Sequence, residues 1–233
     1  MLSRLHLSVI LLLAAAIWGV MLVVEGVALS GSWFRPFSTV VGAVLLLMVA
    51  FDLWAWRLRL LQGWFVPRPD VRGTWRVELR SDWKDPSSGQ TVAPILAYLV
   101  IRQTYSTLSL RLFTAESLSE LVAAEINKAA DGTYRVAAVY RNEPKLSVRH
   151  RSAIHYGALV LDVQGDPVLN LVGHYWTDRS SRGELRALSR HLTIASSFDQ
   201  ARALLPSEDG TGAAAPPNDA ETQPAPPPDA GAT

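Results

Sequence analysis

The 233-residue sequence contains no cysteine, and this absence removes several classes of protein at once. Disulfide-stapled domains, thiolate zinc sites, iron–sulfur clusters and cysteine nucleophiles all require that residue. Charged residues are also scarce, at 18% of the chain against about 25% in ordinary soluble domains. Because 49% of the residues are hydrophobic, the shortage of charge indicates contact with a membrane.

The signature motifs of the common enzyme classes are missing as well. The sequence has no Gly-x-Ser-x-Gly elbow, no His-Glu-x-x-His helix, no Walker loop and no Gly-x-Gly-x-x-Gly turn. None of its five histidines has a partner at the helical spacing of a metal site. We therefore predict that the protein is not an enzyme, and that it has no catalytic residue, no metal site and no cofactor.

Two long apolar runs lie at the N-terminus. Leu5 to Val24 carries no formal charge, and Phe37 to Trp56 is interrupted only by Asp52. Each run is long enough to cross a bilayer as a helix, although the first is also compatible with a cleaved signal peptide. One arginine precedes the first run, and four arginines lie at or shortly after the end of the second. The positive-inside bias therefore predicts a two-transmembrane helical hairpin over residues 1–66, with both termini cytoplasmic.

Asp52 is the one formal charge inside these runs, and it has two interpretations. It lies one helical turn before Trp56 and Arg57, which is typical of an acid near the lipid headgroups. Ionisable residues at membrane depth usually have a partner or a role. Asp52 is therefore also a candidate for a membrane or oligomerisation contact between spans.

Beyond Pro67 the hydrophobic periodicity changes from helical to two. Trp75, Val77 and Leu79 alternate with charged residues, as in a strand with one buried and one exposed face. Seven further segments show strand character and are separated by turn signals: Ile95–Thr104, Ser106–Phe113, Ser117–Lys128, Tyr134–Asn142, Ile154–Val163, Val168–Thr177 and Glu184–Leu192. Eight strands with no room for crossover helices predict an all-β, antiparallel up-and-down barrel, which holds packed side chains or one small ligand.

The C-terminal part divides into a short helix and a tail. Ser197 is a predicted N-cap for a helix over Phe198 to Leu205, which we expect to plug one end of the barrel. Residues 206–233 hold seven of the fourteen prolines and five acids without a base, so they bury too little apolar surface to fold. The predicted regions are thus a hairpin (1–66), a barrel domain with its short helix (67–205) and a disordered tail (206–233).

Polar residues at inward positions of the predicted strands are candidates for ligand binding. Ser117 and Ser119 are poor core fillers, while Tyr140 and Asn142 place a phenol and an amide beside apolar groups. Inward glycines on the sixth and seventh strands leave space. The loop over residues 177–183 combines two guanidiniums with hydroxyls, a mixture suited to phosphate. Together they predict an aromatic-lined polar cavity with arginines at its rim, which suits a nucleotide.

Each of these residues also has an ordinary structural interpretation. Tyr140, Tyr175 and Trp176 are typical of a barrel wall, and His155 is typical of a hydrogen-bonded structural histidine. The arginines of the loops are compatible with a solvated surface.

A set of short motifs follows the two apolar runs. They are Gly73-Thr74-Trp75, Arg102-Gln103-Thr104-Tyr105-Ser106-Thr107, Thr114-Ala115-Glu116-Ser117-Leu118-Ser119, Tyr140-Arg141-Asn142-Glu143-Pro144, His155-Tyr156-Gly157 and Gly173-His174-Tyr175-Trp176-Thr177-Asp178-Arg179. As a set they resemble the two-transmembrane, β-barrel effector family of bacterial CBASS antiphage defence. The resemblance covers roughly residues 1–195.

The resemblance implies a function and a site. A compact, lipocalin-like barrel would sense a cyclic dinucleotide made by a partner CD-NTase, and the ligand would drive homo-oligomerisation, disruption of the inner membrane and abortive cell death. The only small molecule expected is this activating ligand, and no DNA or RNA polymer is expected as a partner. The candidate ligand-binding residues are Gln103, Tyr105, Thr114, Ser117, Ser119, Tyr140, Asn142, Arg151, His155, Tyr175, Thr177 and Arg179.

Two other functions fit the same pattern. Small barrels also hold lipids and pigments, so the alternative is a membrane-tethered, lipocalin-like carrier of a small apolar molecule. A carrier requires an uninterrupted apolar lumen. A structural anchor whose barrel docks a protein partner would instead have an interior filled by large aliphatic side chains.

Overall fold

The computed structural model describes residues 12, 15–16, 18–20, 23–24, 31–63, 65–84 and 89–206, with backbone alone at 31–40 and 43. The first predicted span falls largely outside these residues, and the predicted tail lies outside them from residue 207 onward. Within the described ranges, no helix combines the length and the apolar character that crossing a bilayer requires. The prediction of two transmembrane helices therefore has no support from this part of the chain.

Helix α1, Gly31–Leu53, occupies most of the second apolar run. Arg57 follows it and donates hydrogen bonds to the carbonyls of Leu53 at 2.9 Å and Trp54 at 3.3 Å. A basic side chain in this place satisfies carbonyls that the helix end leaves unpaired. Leu46 and Leu47 of α1 are 71% and 68% exposed. The helix thus presents apolar surface that no described residue covers.

Eight antiparallel strands close into a barrel in chain order. They are β1 Gly73–Ser81, β2 Ile95–Gln103, β3 Leu108–Phe113, β4 Ser117–Lys128, β5 Tyr134–Pro144, β6 His155–Gln164, β7 Asn170–Thr177 and β8 Arg182–His191. β8 pairs with β1, with Leu185 opposite Leu79, and this closure removes exposed sheet edges. The predicted eight-stranded antiparallel barrel is confirmed, and each predicted strand end lies within two residues of the observed one.

The two ends of the barrel are formed by different connections between the strands. The floor is the end formed by the β2–β3, β4–β5 and β6–β7 turns and by the chain entering β1. The mouth is the opposite end, formed by the β1–β2 connection, the β3–β4 turn, the β5–β6 connection and the β7–β8 turn. Between them the inward side chains are mostly aliphatic and buried; Val77, Leu99, Val136 and Leu161 are fully buried examples.

Arg190 closes the floor from the last strand. Its guanidinium lies over the ring of Trp75 at 4.9 Å and donates to the carbonyl oxygens of Arg72 at 2.8 Å and Asp70 at 3.1 Å. Burial alone would raise the pKa of the Asp70 carboxyl, but hydrogen bonds from Arg72 and the charges of Arg72 and Arg190 hold that pKa below its ordinary value. The network fixes the chain as it enters β1.

We expect Arg190→Ala to lower the free energy of unfolding by about 3 kcal/mol, because it leaves half-buried carbonyl groups without their charged donor. Chemical denaturation measures this change. Arg80→Ala is the matched control, since the Arg80 side chain is 68% exposed and forms a surface ion pair with Glu78. The control should change stability by less than about 1 kcal/mol. Equal effects of the two substitutions would contradict the role of Arg190.

The C-terminal helix begins where the sequence predicts but packs in a different place. Helix α2, Phe198–Leu204, has Ser197 as its N-cap, whose hydroxyl accepts from the Gln200 amide at 3.2 Å. The helix lies on the outside of the barrel, against the outward side chains of Tyr98 and Val100. The expected plug is therefore wrong, because apolar residues at outward positions require a cover from outside the barrel.

Candidate functional site

The mouth gathers ten of the twelve predicted ligand-binding residues: Thr114, Ser117, Ser119, Tyr140, Asn142, Arg151, His155, Tyr175, Thr177 and Arg179. Strand register brings them together. Ser119 of β4 lies opposite Asn142 of β5, and Asn142 lies opposite His155 of β6. Because antiparallel neighbours share faces at paired positions, these three side chains point into the barrel at one level.

A cluster of hydroxyls and one amide lies at this level. The Nδ2 atom of Asn142 donates to Ser119 Oγ at 2.8 Å and to Ser117 Oγ at 3.1 Å, and Ser117 Oγ lies 2.9 Å from Thr114 Oγ1. Asn142 is only 9% exposed. Its carboxamide oxygen has no hydrogen-bond partner among the described residues. That oxygen is available to accept a hydrogen bond from a ligand.

The inward glycines do not leave the open space that the sequence indicates. A Cβ atom on Gly157 would lie 2.4 Å from the hydroxyl oxygen of Tyr140, so the phenol occupies the room that the glycine provides. A Cβ atom on Gly173 would lie 1.9 Å from the carbonyl oxygen of Val160, so there the backbones of β6 and β7 approach closely. Both glycines serve the packing of the barrel.

Two phenols lie deeper than the hydroxyl cluster. Burial raises the pKa of Tyr140, and the neighbouring Tyr175 and Asp178 raise it further, so its phenol stays protonated and can donate. Burial also raises the pKa of Tyr175, although the neighbouring Ser81 side chain lowers it in part. The Tyr140 hydroxyl has no hydrogen-bond partner in the described part of the chain. It is therefore a donor that a ligand can use.

The centre of the barrel is closed below these phenols. The void that remains there is about 10 Å³ and is lined mainly by leucines, which is room for about one water molecule. Pockets that hold small-molecule ligands usually measure about 300–1,000 Å³. Among the described residues, the central layers therefore show no polar cavity of the expected kind, and ten of the twelve predicted ligand-binding residues lie at the mouth.

The β7–β8 turn supplies an arginine that is available to an anion. Arg182 is committed to Asp82, with 2.7 Å between Nε and Oδ2. Arg179 instead donates to the neutral hydroxyl of Ser152 at 3.0 Å and forms no ion pair with any described residue. Of the two guanidiniums in this loop, Arg179 is the one that a phosphate can engage without displacing a carboxylate.

The other rim residues already have partners. Arg151 forms an ion pair with Glu116 across the mouth, and both side chains are exposed. Thr177 Oγ1 lies 2.8 Å from Ser181 Oγ and closes the β7–β8 turn. The Nδ1 atom of His155 lies 3.1 Å from the Ala153 carbonyl oxygen, and its Nε2 atom has no hydrogen-bond partner in the described part of the chain. These contacts order the rim before any ligand arrives.

We expect Arg179→Ala to weaken binding of the mouth's ligand about ten- to a hundredfold, since a hydrogen bond from a charged donor contributes about 1.5–3 kcal/mol. Arg179→Lys should restore only part of the affinity, because lysine keeps the charge but lacks the planar fork. Titration calorimetry at two salt concentrations measures both variants. Arg182→Ala is the control and should bind like the wild type; equal affinities for all four proteins would remove Arg179 from the site.

The structure does not bring Gln103 and Tyr105 to the mouth. Gln103 is buried at the floor, where its side chain accepts from the Val71 amide and donates to the Pro69 carbonyl, both at 3.0 Å. Tyr105 lies in the β2–β3 turn, and its ring contacts Phe51 of α1 with 4.9 Å between centroids. Their assignment to one site with the other ten residues is corrected, because the floor and the mouth are opposite ends of the barrel.

Asp52 joins α1 to the floor. Its carboxylate accepts from the Ser106 amide at 2.9 Å and lies 3.4 Å from Thr104 Oγ1, while its carbonyl oxygen accepts from the Tyr105 amide at 2.9 Å. Asp52 is 8% exposed. These partners of Asp52 lie in the β2–β3 turn of the barrel, and the predicted contact between the two spans stays a prediction, because most of the first span lies outside the described residues.

Sequence reasoning missed Glu116 and Ser152, which hold the two rim arginines. Each contact joins two connections that are far apart in the chain, and no periodicity marks it. Within the described ranges, no three His, Asp or Glu side chains are grouped so that they could hold a metal ion.

Comparison with known proteins places the barrel in a family. The family model described as "Cap15, cyclic dinucleotide receptor domain" matches residues 66–188, which is more than half of the chain. The matched range includes all ten predicted residues of the mouth. No curated protein matches the chain.

Proposed function

The chain belongs to the family of Cap15 cyclic dinucleotide receptor domains, a family of CBASS effectors, and from that premise we propose that its cyclic dinucleotide binds at the mouth of the barrel. The observation that carries this proposal is the cluster of Ser117, Ser119 and Asn142 at the end of an otherwise apolar interior. Burying polar groups costs free energy unless they are hydrogen-bonded, and the carboxamide oxygen of Asn142 has no hydrogen-bond partner among the described residues. We further propose that the protein acts by binding alone, without catalytic turnover.

The chemistry of the mouth suits both parts of a cyclic dinucleotide. The ligand has two anionic phosphodiesters and two bases with hydrogen-bonding edges. Arg179 supplies a guanidinium without a carboxylate partner, Tyr140 supplies a phenolic donor, and Asn142 supplies a free carbonyl oxygen. A phosphate at the rim and a base edge directed inward would use all three groups.

The closed interior weighs against an apolar carrier. A void of about 10 Å³ has no room for a lipid or a pigment, even though the central layers are apolar. The aliphatic packing does match what a structural anchor requires. A structural anchor would not, however, require the buried carboxamide of Asn142, whose oxygen has no hydrogen-bond partner among the described residues, at the mouth. The family match also favours a receptor.

Residues 1–66 are proposed to carry the response at the bacterial inner membrane, with the barrel and both termini on the cytoplasmic side. Large apolar side chains near the floor are well exposed: Trp54 at 58%, Leu58 at 57%, Leu60 at 82% and Phe65 at 55%. Arg57 lies among them, which is typical of a segment at a lipid headgroup layer. Ligand-driven homo-oligomerisation and membrane disruption, ending in abortive cell death, complete the proposal.

Titration calorimetry of the purified full-length chain against a panel of cyclic di- and trinucleotides tests the receptor function on this chain. We expect saturable binding of at least one cyclic dinucleotide, supplied in the cell by a cognate CD-NTase. A flat response to every member of the panel would contradict the proposal and favour the anchor.

A further inference from the structure

The outer surface of β4–β7 carries an apolar patch. Ala123, Val139, Ala158 and Trp176 lie side by side in register across these four strands. With Tyr156, one step nearer the mouth, they form what we call the outer patch. Val139 is 43% exposed, Tyr156 is 51% exposed and Trp176 is 46% exposed. Contiguous apolar surface of this kind marks sites of interaction more often than scattered single residues do.

The opposite side of the barrel shows what an equivalent surface looks like when it is covered. Tyr98, Val100 and Phe113 also point outward, but they are only 0%, 2% and 7% exposed because α2 packs on them. The chain therefore buries this outward apolar face with its own helix. On the outer patch, His174 stacks beside Trp176 with 5.9 Å between ring centroids, and no helix among the described residues covers the patch.

The outer patch lies on the strands that form the ligand site. Val139 precedes Tyr140 in the chain, Tyr156 lies between His155 and Gly157, and Trp176 lies between Tyr175 and Thr177. Because side chains alternate along a strand, each patch residue shares its backbone with inward residues of the mouth. A ligand that shifts the ends of β5, β6 or β7 also shifts the outer patch.

The charges around the outer patch favour a copy of the same chain as its partner. Both signs occur there in similar number: Arg135, Arg141 and Arg182 with Glu125, Asp162, Asp178 and Glu184. The three arginines form exposed ion pairs with Asp162, Glu143 and Asp82 of their own chain, and such surface pairs can exchange partners at an interface at little cost. An anionic lipid surface or a nucleic acid would require an excess of positive charge. A two-fold contact, in which the same patch meets itself, lets the acids of one copy approach the bases of the other.

We infer that the outer patch is the surface through which one barrel contacts a second copy of this chain when the ligand is bound. The inference rests on the proposed function, since it names the interface for the assembly proposed there. A two-fold contact pairs two barrels, and residues 1–66 would then join the pairs into larger assemblies. The ligand favours the paired state only if it binds that state more tightly.

A substitution on the outer patch tests the inference with a matched control. Val139→Glu places a charge in the contact, whereas Leu188→Glu places the same charge on β8 at a leucine of similar exposure, 47% against 43%. Sedimentation velocity of the detergent-solubilised full-length chain is measured with and without cyclic di-AMP, cyclic di-GMP and cyclic GMP–AMP. We expect Val139→Glu to weaken ligand-dependent association about tenfold or more. Leu188→Glu should assemble like the wild type.

Ligand affinity separates this inference from the proposed function. We expect Val139→Glu still to bind the cyclic dinucleotide, with an affinity lower than that of the wild type only by the share that pairing contributes, and this binding also shows that the variant is folded. If that variant binds and also assembles like the wild type, the interface is wrong and the receptor function stands. If none of the three nucleotides binds the wild type, or if the wild type binds one and stays monomeric, the assembly fails and the inference fails with it.

A cross-link gives a second, independent readout, since the natural chain has no cysteine. Ala158→Cys lies at the centre of the outer patch, near the expected two-fold axis. Under mild oxidation with the ligand present, we expect this variant to form a disulfide-linked dimer, and we expect Leu188→Cys to stay monomeric. Equal cross-linking of the two variants, or none in Ala158→Cys, would overturn the inference.

Discussion

Asn142→Leu is expected to weaken cyclic dinucleotide binding about a hundredfold. Asn142 holds Ser117 and Ser119 through its Nδ2 atom and keeps a free carbonyl oxygen. Leucine of similar size removes that acceptor, so a ligand donor buried in the mouth loses its hydrogen bond and is left without a partner, which costs about 1–3 kcal/mol of binding free energy; the two hydroxyls also lose the donor that holds them in place. The sum corresponds to about two orders of magnitude in affinity.

Calorimetry of the variant measures this change, and Asn127→Leu is its control. Asn127 lies on β4 near the floor and is exposed, so its replacement should leave the affinity unchanged. Thermal unfolding of both variants shows whether the barrel is intact. A folded Asn142→Leu variant that binds within about threefold of the wild type would show that the hydroxyl–amide cluster orders the mouth without contacting the ligand.

Removal of residues 1–66 is expected to abolish killing of the cell and to leave the ligand affinity unchanged. The reason is the separation between the two ends of the barrel. The residues before β1 reach the floor through Asp52, whereas the ten predicted ligand residues lie at the mouth. Colony counts after induction with a cognate nucleotide synthase measure killing, and calorimetry of the truncated protein measures binding.

The matched control removes the other end of the chain. Deletion of residues 207–233 should change neither killing nor affinity, because that segment has no apolar periodicity with which to dock. A chain without residues 1–66 that still permeabilises cells would contradict the assignment of the response to that region. A loss of affinity above about tenfold on deleting the tail would make it part of the site.

The sequence predicts the barrel well because each strand carries a local signal. Alternation such as Trp75, Val77 and Leu79 and turns such as Asp131-Gly132 are read within a few residues of chain, and closure then follows from the number of strands. Asn142 and Ser119 were also predictable as a pair of inward polar residues, because a strand with period two assigns each side chain to a face.

Other features depend on distances that no local pattern contains. Gln103 and Tyr105 share a motif-rich segment with inward residues, yet strand order places them at the floor. The space beside Gly157 looks open in a one-dimensional pattern, but the phenol of Tyr140 reaches across from the next strand and fills it. Whether an apolar helix such as α2 plugs an end or covers a face depends on which outward positions of other strands are apolar.

The central claim is that the cyclic dinucleotide lies at the mouth of a closed barrel. Hydrogen–deuterium exchange of the full-length chain, with and without the bound nucleotide, tests it most directly. We expect slower exchange in residues 114–119, 140–145, 152–157 and 177–183, and no change in the floor turns at 104–107, 129–133 and 165–169. Slower exchange confined to the floor turns, with the mouth unchanged, would contradict the claim.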